Sequence, residues 1–162
     1  MANQSMSAGL QNLNLNGASS IENSPFPVAT KSTTGLVHGV QTTASSMYFS
    51  DKILLTISQG GRLSQWIQVP LSSASPTNIE TALPSADSDM LPLGHLTPKT
   101  LMGAGGEQRE TLGNLYACQI ASVIATRNPE ETRTVVVGLG LQKVDAERET
   151  FFDILELCQN VI

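Results

Sequence analysis

KILLTISQGGRLSQWIQVPL, residues 52–71, decides the fold. Ile53, Leu55 and Ile57 alternate with Leu54, Thr56 and Ser58, the two-residue period of a strand with one buried face. Gly60-Gly61 interrupts the pattern and supplies the positive φ angles that tight hairpin turns require. Alternation then resumes, with Leu63, Ile67, Val69 and Leu71 on one side and Ser64, Trp66 and Gln68 on the other. Two such runs around a Gly-Gly pair predict an antiparallel hairpin.

Outward from this centre, Thr34 to Thr43 (TGLVHGVQTT) reads as a preceding strand, with Leu36, His38 and Val40 on one side. It completes a three-stranded meander. Downstream, Thr100-Leu101-Met102 is a short strand ended by Gly103-Ala104-Gly105-Gly106. The period then changes to that of a helix. Leu112, Leu115, Tyr116, Gln119, Ile120, Val123 and Ile124 predict one from about Glu107 to Thr126, with Glu107 and Glu110 at its positive end and Asn128-Pro129 to stop it. TRTVVVGLGLQ (132–142) is a strand with Val135, Val137, Leu139 and Leu141 on one face. A second helix runs from about Asp145, its N-cap, with Phe151, Ile154, Leu155, Cys158 and Ile162 as its stripe.

The predicted fold is α+β: an antiparallel sheet, a meander plus later strands, with two amphipathic helices packed on one face. The other face is left open, with Leu54, Trp66 and Val136 among polar residues and with Gly39, Gly138 and Gly140 keeping its relief low. These three apolar side chains are the expected partner interface, Trp66 as its anchor. A Trp folded over locally by a loop is the structural alternative.

Two stretches stand outside this pattern. Residues 1–25 are polar and nearly uncharged, and cannot bury enough apolar surface to offset the entropy of ordering, so a disordered tail is expected. Residues 72–98 carry Pro76, Pro84, Pro92 and Pro98, and read as a mobile loop within one domain spanning 26–162.

Composition narrows the function. The formal net charge is −5, and the nine Lys and Arg residues are scattered along the chain. A phosphate-backbone footprint needs them gathered, which makes nucleic acid and anionic membrane poor partners. No run approaches the ~20 apolar residues of a membrane span, and the start of the sequence lacks a signal-peptide pattern. Two cysteines, Cys118 and Cys158, make no disulfide framework and sit in no zinc-site spacing. The expected compartment is cytoplasmic, with the nucleus as a second location.

Motifs for catalysis are weak. Gly103-Ala-Gly-Gly-Glu107 before a helix lacks the Walker Lys-Ser/Thr and puts a carboxylate where a phosphate would sit. Gly138-Leu-Gly140 lies within a strand and lacks the third glycine of a dinucleotide fingerprint. Cys118 with His38 or His95 is the one conceivable nucleophile set, and no oxyanion-hole motif accompanies it. No catalytic, cofactor or metal residues are assigned.

The segments GLVHGVQT (35–42), FSDKILLTISQGGRL (49–63), Leu101-Met-Gly103, LYACQIASVIATRNPEETRTVVVGLGLQ (115–142) and LELCQNV (155–161) together resemble the proteasome assembly chaperone 3 family. The likeness lies in order and spacing and covers residues 34–71 and 100–161. The chain departs from shorter members in its polar N-terminus and its long loop after Leu71. The resemblance implies a small α+β protein without cofactor or enzymatic activity. It implies pairing with an assembly chaperone 4-like partner of similar fold, and binding of the pair to a proteasome α-type subunit during formation of the α ring of the 20S core particle. A non-catalytic trafficking or signalling adaptor is the alternative, since folds of this kind are reused widely.

Overall fold

The computed structural model describes residues 28–72, 92–103, 105–143 and 147–162. Its elements are β1 (Thr30–Val37), β2 (Val40–Tyr48), β3 (Lys52–Gln59), β4 (Gln65–Pro70), β5 (Lys99–Met102), α1 (Glu107–Arg127), β6 (Thr134–Gly140) and α2 (Arg148–Gln159). The architecture is the α+β arrangement expected from the sequence. Both helices lie on one face of a six-stranded sheet ordered β1-β2-β3-β6-β4-β5.

Three local expectations are corrected. First, the single strand expected over 34–43 is a hairpin. His38 and Gly39 both have positive φ, 50° and 77°, so the chain reverses in two residues and pairs Val37 with Val40. Positive φ at both central positions is what a right-twisted hairpin needs. His38 therefore occupies the turn, and Leu36 is left 74% exposed on the opposite side of the sheet from the helices. The meander is β1-β2-β3.

Second, β3 and β4 are not neighbours. The Gly60-Gly61 turn forms and closes a Gln59–Arg62 bridge, but Leu63 and Ser64 then carry the chain sideways. β6 fills the gap, parallel to β3 (Leu55 opposite Val137) and antiparallel to β4 (Ile67 opposite Val137). The run Val135 to Gly140 contains no polar residue, as suits a central strand covered on both edges. The crossing is possible because residue 140 is glycine: a Cβ there would collide with the Arg62 carbonyl.

Third, the core-facing stripe of α1 is Gly113, Tyr116, Ala117, Ile120, Ala121 and Ile124, and Leu115 is 41% exposed. Gln65, 2% exposed, lies against Gly113 and donates to the Arg109 carbonyl at 3.3 Å, so α1 sits low on β4 and turns Leu115 outward.

The core forms between the helices and the inner strand positions. Ile53, Leu55, Ile57, Ile67, Val69, Val135 and Val137 meet Tyr116, Ile120, Ile154 and Cys158, all essentially inaccessible. Burying such side chains contributes about 1.5–3 kcal/mol each. α2 covers β1 and β2, where Leu157 rests on Gly35, and Ser46 Oγ donates to the Val161 carbonyl at 2.5 Å. At the other end of the sheet Arg133 pairs with Glu131, donates to the Phe49 carbonyl at 2.8 Å and lies over the Tyr48 ring, joining the β2–β3 turn to the start of β6.

The expected tail at 1–25, the Asp145 cap and residues 73–91 of the expected loop lie outside the described residues. Residues 92–98 pack along α1: Leu96 is 7% exposed, and the Leu93 amide donates to Ser122 Oγ at 2.8 Å.

Gly140→Ala should destabilise the fold by about 3 kcal/mol, because the blocking atom is backbone and the β3–β4 crossing must shift. Urea denaturation of the two proteins measures this. A loss below about 1 kcal/mol would contradict the described crossing.

Candidate functional site

The face turned away from the helices is uncovered among the described residues. Its composition follows from the strand register. One row runs Met47, Leu54, Val136, Gln68, Lys99, and the next runs Ser45, Thr56, Gly138, Trp66, Met102. Leu54 and Val136 are direct cross-strand partners, and Trp66 stands opposite Gly138, one pleat along from Val136. The fold thus brings together all three residues singled out in the sequence, and all three are half-buried.

Gly138 makes this patch flat. Trp66 ring carbons Cζ3 and Cη2 lie only 3.0 and 3.1 Å from where a Cβ on Gly138 would be, so the indole lies down over the strand. Any larger residue at 138 would lift it off the sheet. Gly39, expected on this face, instead belongs to the β1–β2 turn.

Two neighbours escape sequence reasoning. Met102 is 63% exposed beside Trp66, and Leu101 is 50% exposed next to it. A register shift between Trp66 and Ile67 breaks the simple alternation that would have assigned their faces. The β1–β2–β3 part of the face is different in kind. There hydroxyls satisfy one another, Ser45 with Thr56 at 2.7 Å and Thr34 with Thr43 at 3.1 Å, two pairs costing little to leave in water or to cover, with Leu36 as an exposed apolar residue beside them. An apolar plate beside paired hydroxyls is the anatomy of a protein interface, with a desolvated centre and a tolerant rim.

A family profile described as proteasome assembly chaperone 3 matches residues 55–161, from the middle of β3 to the end of α2. The chain belongs to that family. Its role is that of a proteasome assembly chaperone. A chain in the crystal structure of a chaperone complex for yeast 20S proteasome assembly superposes with a TM-score of 0.57 at 15% identity, covering 82% of this chain and 98% of that one. That likeness concerns the fold. No curated protein sequence matches the chain.

The residues weighed for chemistry are dispersed. His38 Nδ1 is 3.2 Å from Thr150 Oγ1 and 3.8 Å from Glu147, so it ties the β1–β2 turn to the start of α2. Cys118, on the outer flank of α1, donates its thiol to the Leu96 carbonyl at 3.8 Å, and burial raises its pKa. Cys158 is buried beneath α2, and desolvation pushes it up to about 12. Both shifts disfavour the thiolate, the opposite of what a nucleophile needs. Among the described residues no group of three His, Cys, Asp or Glu side chains is placed to hold a metal ion, and no helix is long and apolar enough to cross a membrane.

A soluble maleimide at pH 8 should label Cys118 slowly and Cys158 only after denaturation. Because folding raises the Cys158 pKa, its contribution to stability is full below the unfolded value and declines as pH rises from about 9 towards 12. Alkaline denaturant titrations of wild type and Cys158→Ala should therefore converge as pH increases.

Proposed function

We propose that this chaperone works as half of a heterodimer, its open face completed by an assembly chaperone 4-like partner of similar fold. The pair then binds a proteasome α-type subunit and holds it while the α ring of the 20S core particle forms. The observation that carries the reading is the flat plate of Trp66, Leu54, Val136 and Met102, left without a covering element among the described residues on a sheet whose other face carries both helices.

The physics of such pairing is ordinary sheet-on-sheet packing, about 10 Å between faces. The low relief around Gly138 lets a second sheet approach over the indole. Buried Trp is among the residue types enriched at interface anchors, and the paired hydroxyls supply a rim that tolerates partial hydration. Binding needs no covalent step and no nucleotide. The growing ring displaces the chaperone once subunit–subunit contacts exceed those it offers, which is mass action. The work takes place in the cytoplasm, with the nucleus as a second compartment.

Size-exclusion chromatography with light scattering, run on the purified chain alone and with the candidate partner chaperone, tests this directly. A one-to-one complex is expected. Trp66→Ala should weaken it by about 2 kcal/mol or more, and Met102→Asp should act in the same direction. Pairing unchanged in both variants would remove the open face from consideration.

A further inference from the structure

Three of the nine basic residues, Arg62, Arg109 and Lys143, are far apart in sequence but close in space. Where the Gly60-Gly61 turn, the start of α1 and the end of β6 meet, a groove of about 560 Å³ is lined by Arg62, Arg109, Ser64, Gln59, Gln142 and Leu141, together with Gly60 and Gly140. An adjoining recess shares Ser64, Arg109 and Leu141 and is closed by Lys143. Among the described residues no acidic side chain lines either one, and Glu147 lines the neighbouring cavity that shares Gln59, Leu141 and Gln142 with the groove. Arg62, Arg109 and Lys143 make no ion pair among the described residues.

The placement of these cations is built into the backbone. Arg62 sits where the β3–β4 crossing passes over Gly140, at a position fixed by the contact of its own carbonyl with that glycine. Arg109 is held by one arm: Nη1 donates to Ser64 Oγ at 3.0 Å, and Ser64 Oγ in turn donates to the Leu139 carbonyl at 3.3 Å. Arg109 lines both the groove and the recess. The floor is mixed, with Leu141 apolar and the Gln142 backbone N–H donating to Gln59 Oε1 at 2.9 Å. Glu107 and Glu110, on the first turn of α1, lie outside the lining.

We propose that this groove is a second docking site, which receives a carboxylate-bearing, partly aliphatic segment of a protein partner. Guanidinium groups at fixed positions match carboxylates two-pronged, and an apolar strip beside them suits a peptide backbone with aliphatic neighbours. Two arginines on a mixed floor, with Lys143 in the adjoining recess, make too small a footprint for a nucleic-acid backbone. The assignment of the occupant to a protein rests on the proposed function; the groove itself does not. It lies at the end of the sheet, beyond the Trp66 plate, so a paired chaperone keeps it available for the subunit it carries.

The probe is a fluorescein-labelled ten-residue peptide of alternating Glu and Leu, followed by anisotropy with the full chain. Controls are its Lys–Leu counterpart and a ten-nucleotide single-stranded DNA. Binding of the Glu–Leu peptide, weakening as salt rises, is expected. R62E/R109E should reduce its affinity at least tenfold, R62Q/R109Q should do so less, and Trp66→Ala should leave it unchanged. The glutamine variant and an unchanged thermal midpoint guard against a folding defect. Pairing with the partner chaperone, measured by light scattering, should survive R62E/R109E. Absence of peptide binding, an unchanged affinity in R62E/R109E, DNA binding tighter than the peptide, or loss of pairing in R62E/R109E would each overturn the proposal. A chain that fails to pair with the candidate partner chaperone would instead strike the heterodimer reading and leave the groove standing.

Discussion

β6 is the strand on which the rest of the molecule depends. It is parallel to β3 on one edge and antiparallel to β4 on the other, so it alone joins the β1-β2-β3 meander to the β4-β5 pair. Its inner positions, Val135, Val137 and Leu139, give α1 its bed in the core. Its outer positions, Val136 and Gly138, floor the patch on which Trp66 lies. Its terminal Gly140 lets the β3–β4 connection cross, and that crossing carries Arg62 to the basic groove. Core, interface and groove therefore share one seven-residue strand.

Much of this is legible in the sequence because strand and helix periods differ. The alternation in residues 53–58, 66–71 and 134–140 assigns faces correctly, since one face of the sheet is buried and the other is not. Leu63, expected with Ile67 and Val69, instead lies in the crossing and is 38% exposed. Leu54, Trp66 and Val136 could be placed on the open side by parity alone. What parity cannot give is neighbourhood. The Gly60-Gly61 pair makes a turn in either topology, and only the space taken by a later strand shows that β4 is displaced. The unbroken apolar run at 135–140 was the available clue, since it marks a strand without a free edge. The His38-Gly39 turn was hidden for a different reason. Histidine is an unusual choice for positive φ, and its imidazole is held by Thr150, more than a hundred residues away.

The open face is also instructive for what it does not contain. Apolar residues gather over β3, β6, β4 and β5, whereas hydroxyls predominate on β1 and β2, where Leu36 and Met47 are the apolar exceptions. The same partition explains why the total composition looks unremarkable for a binding protein. Charge behaves similarly: a chain of net charge −5 presents a basic groove and recess because the fold gathers cations from positions 62, 109 and 143. Neither segregation is visible from sums over the sequence.

The late position of β6 along the chain has a kinetic corollary. During vectorial synthesis on the ribosome, β3 and β4 emerge some seventy residues before the strand that must lie between them. Until then each has a bare hydrogen-bonding edge, and the short Gly-Gly connection invites them to zip together directly. That non-native hairpin would have to reopen before residues 134–140 could insert. Long-range strand insertion of this kind is slow and exposes aggregation-prone edges. A protein that escorts the assembly of others thus carries, in its own topology, a reason to need escort while it is being made.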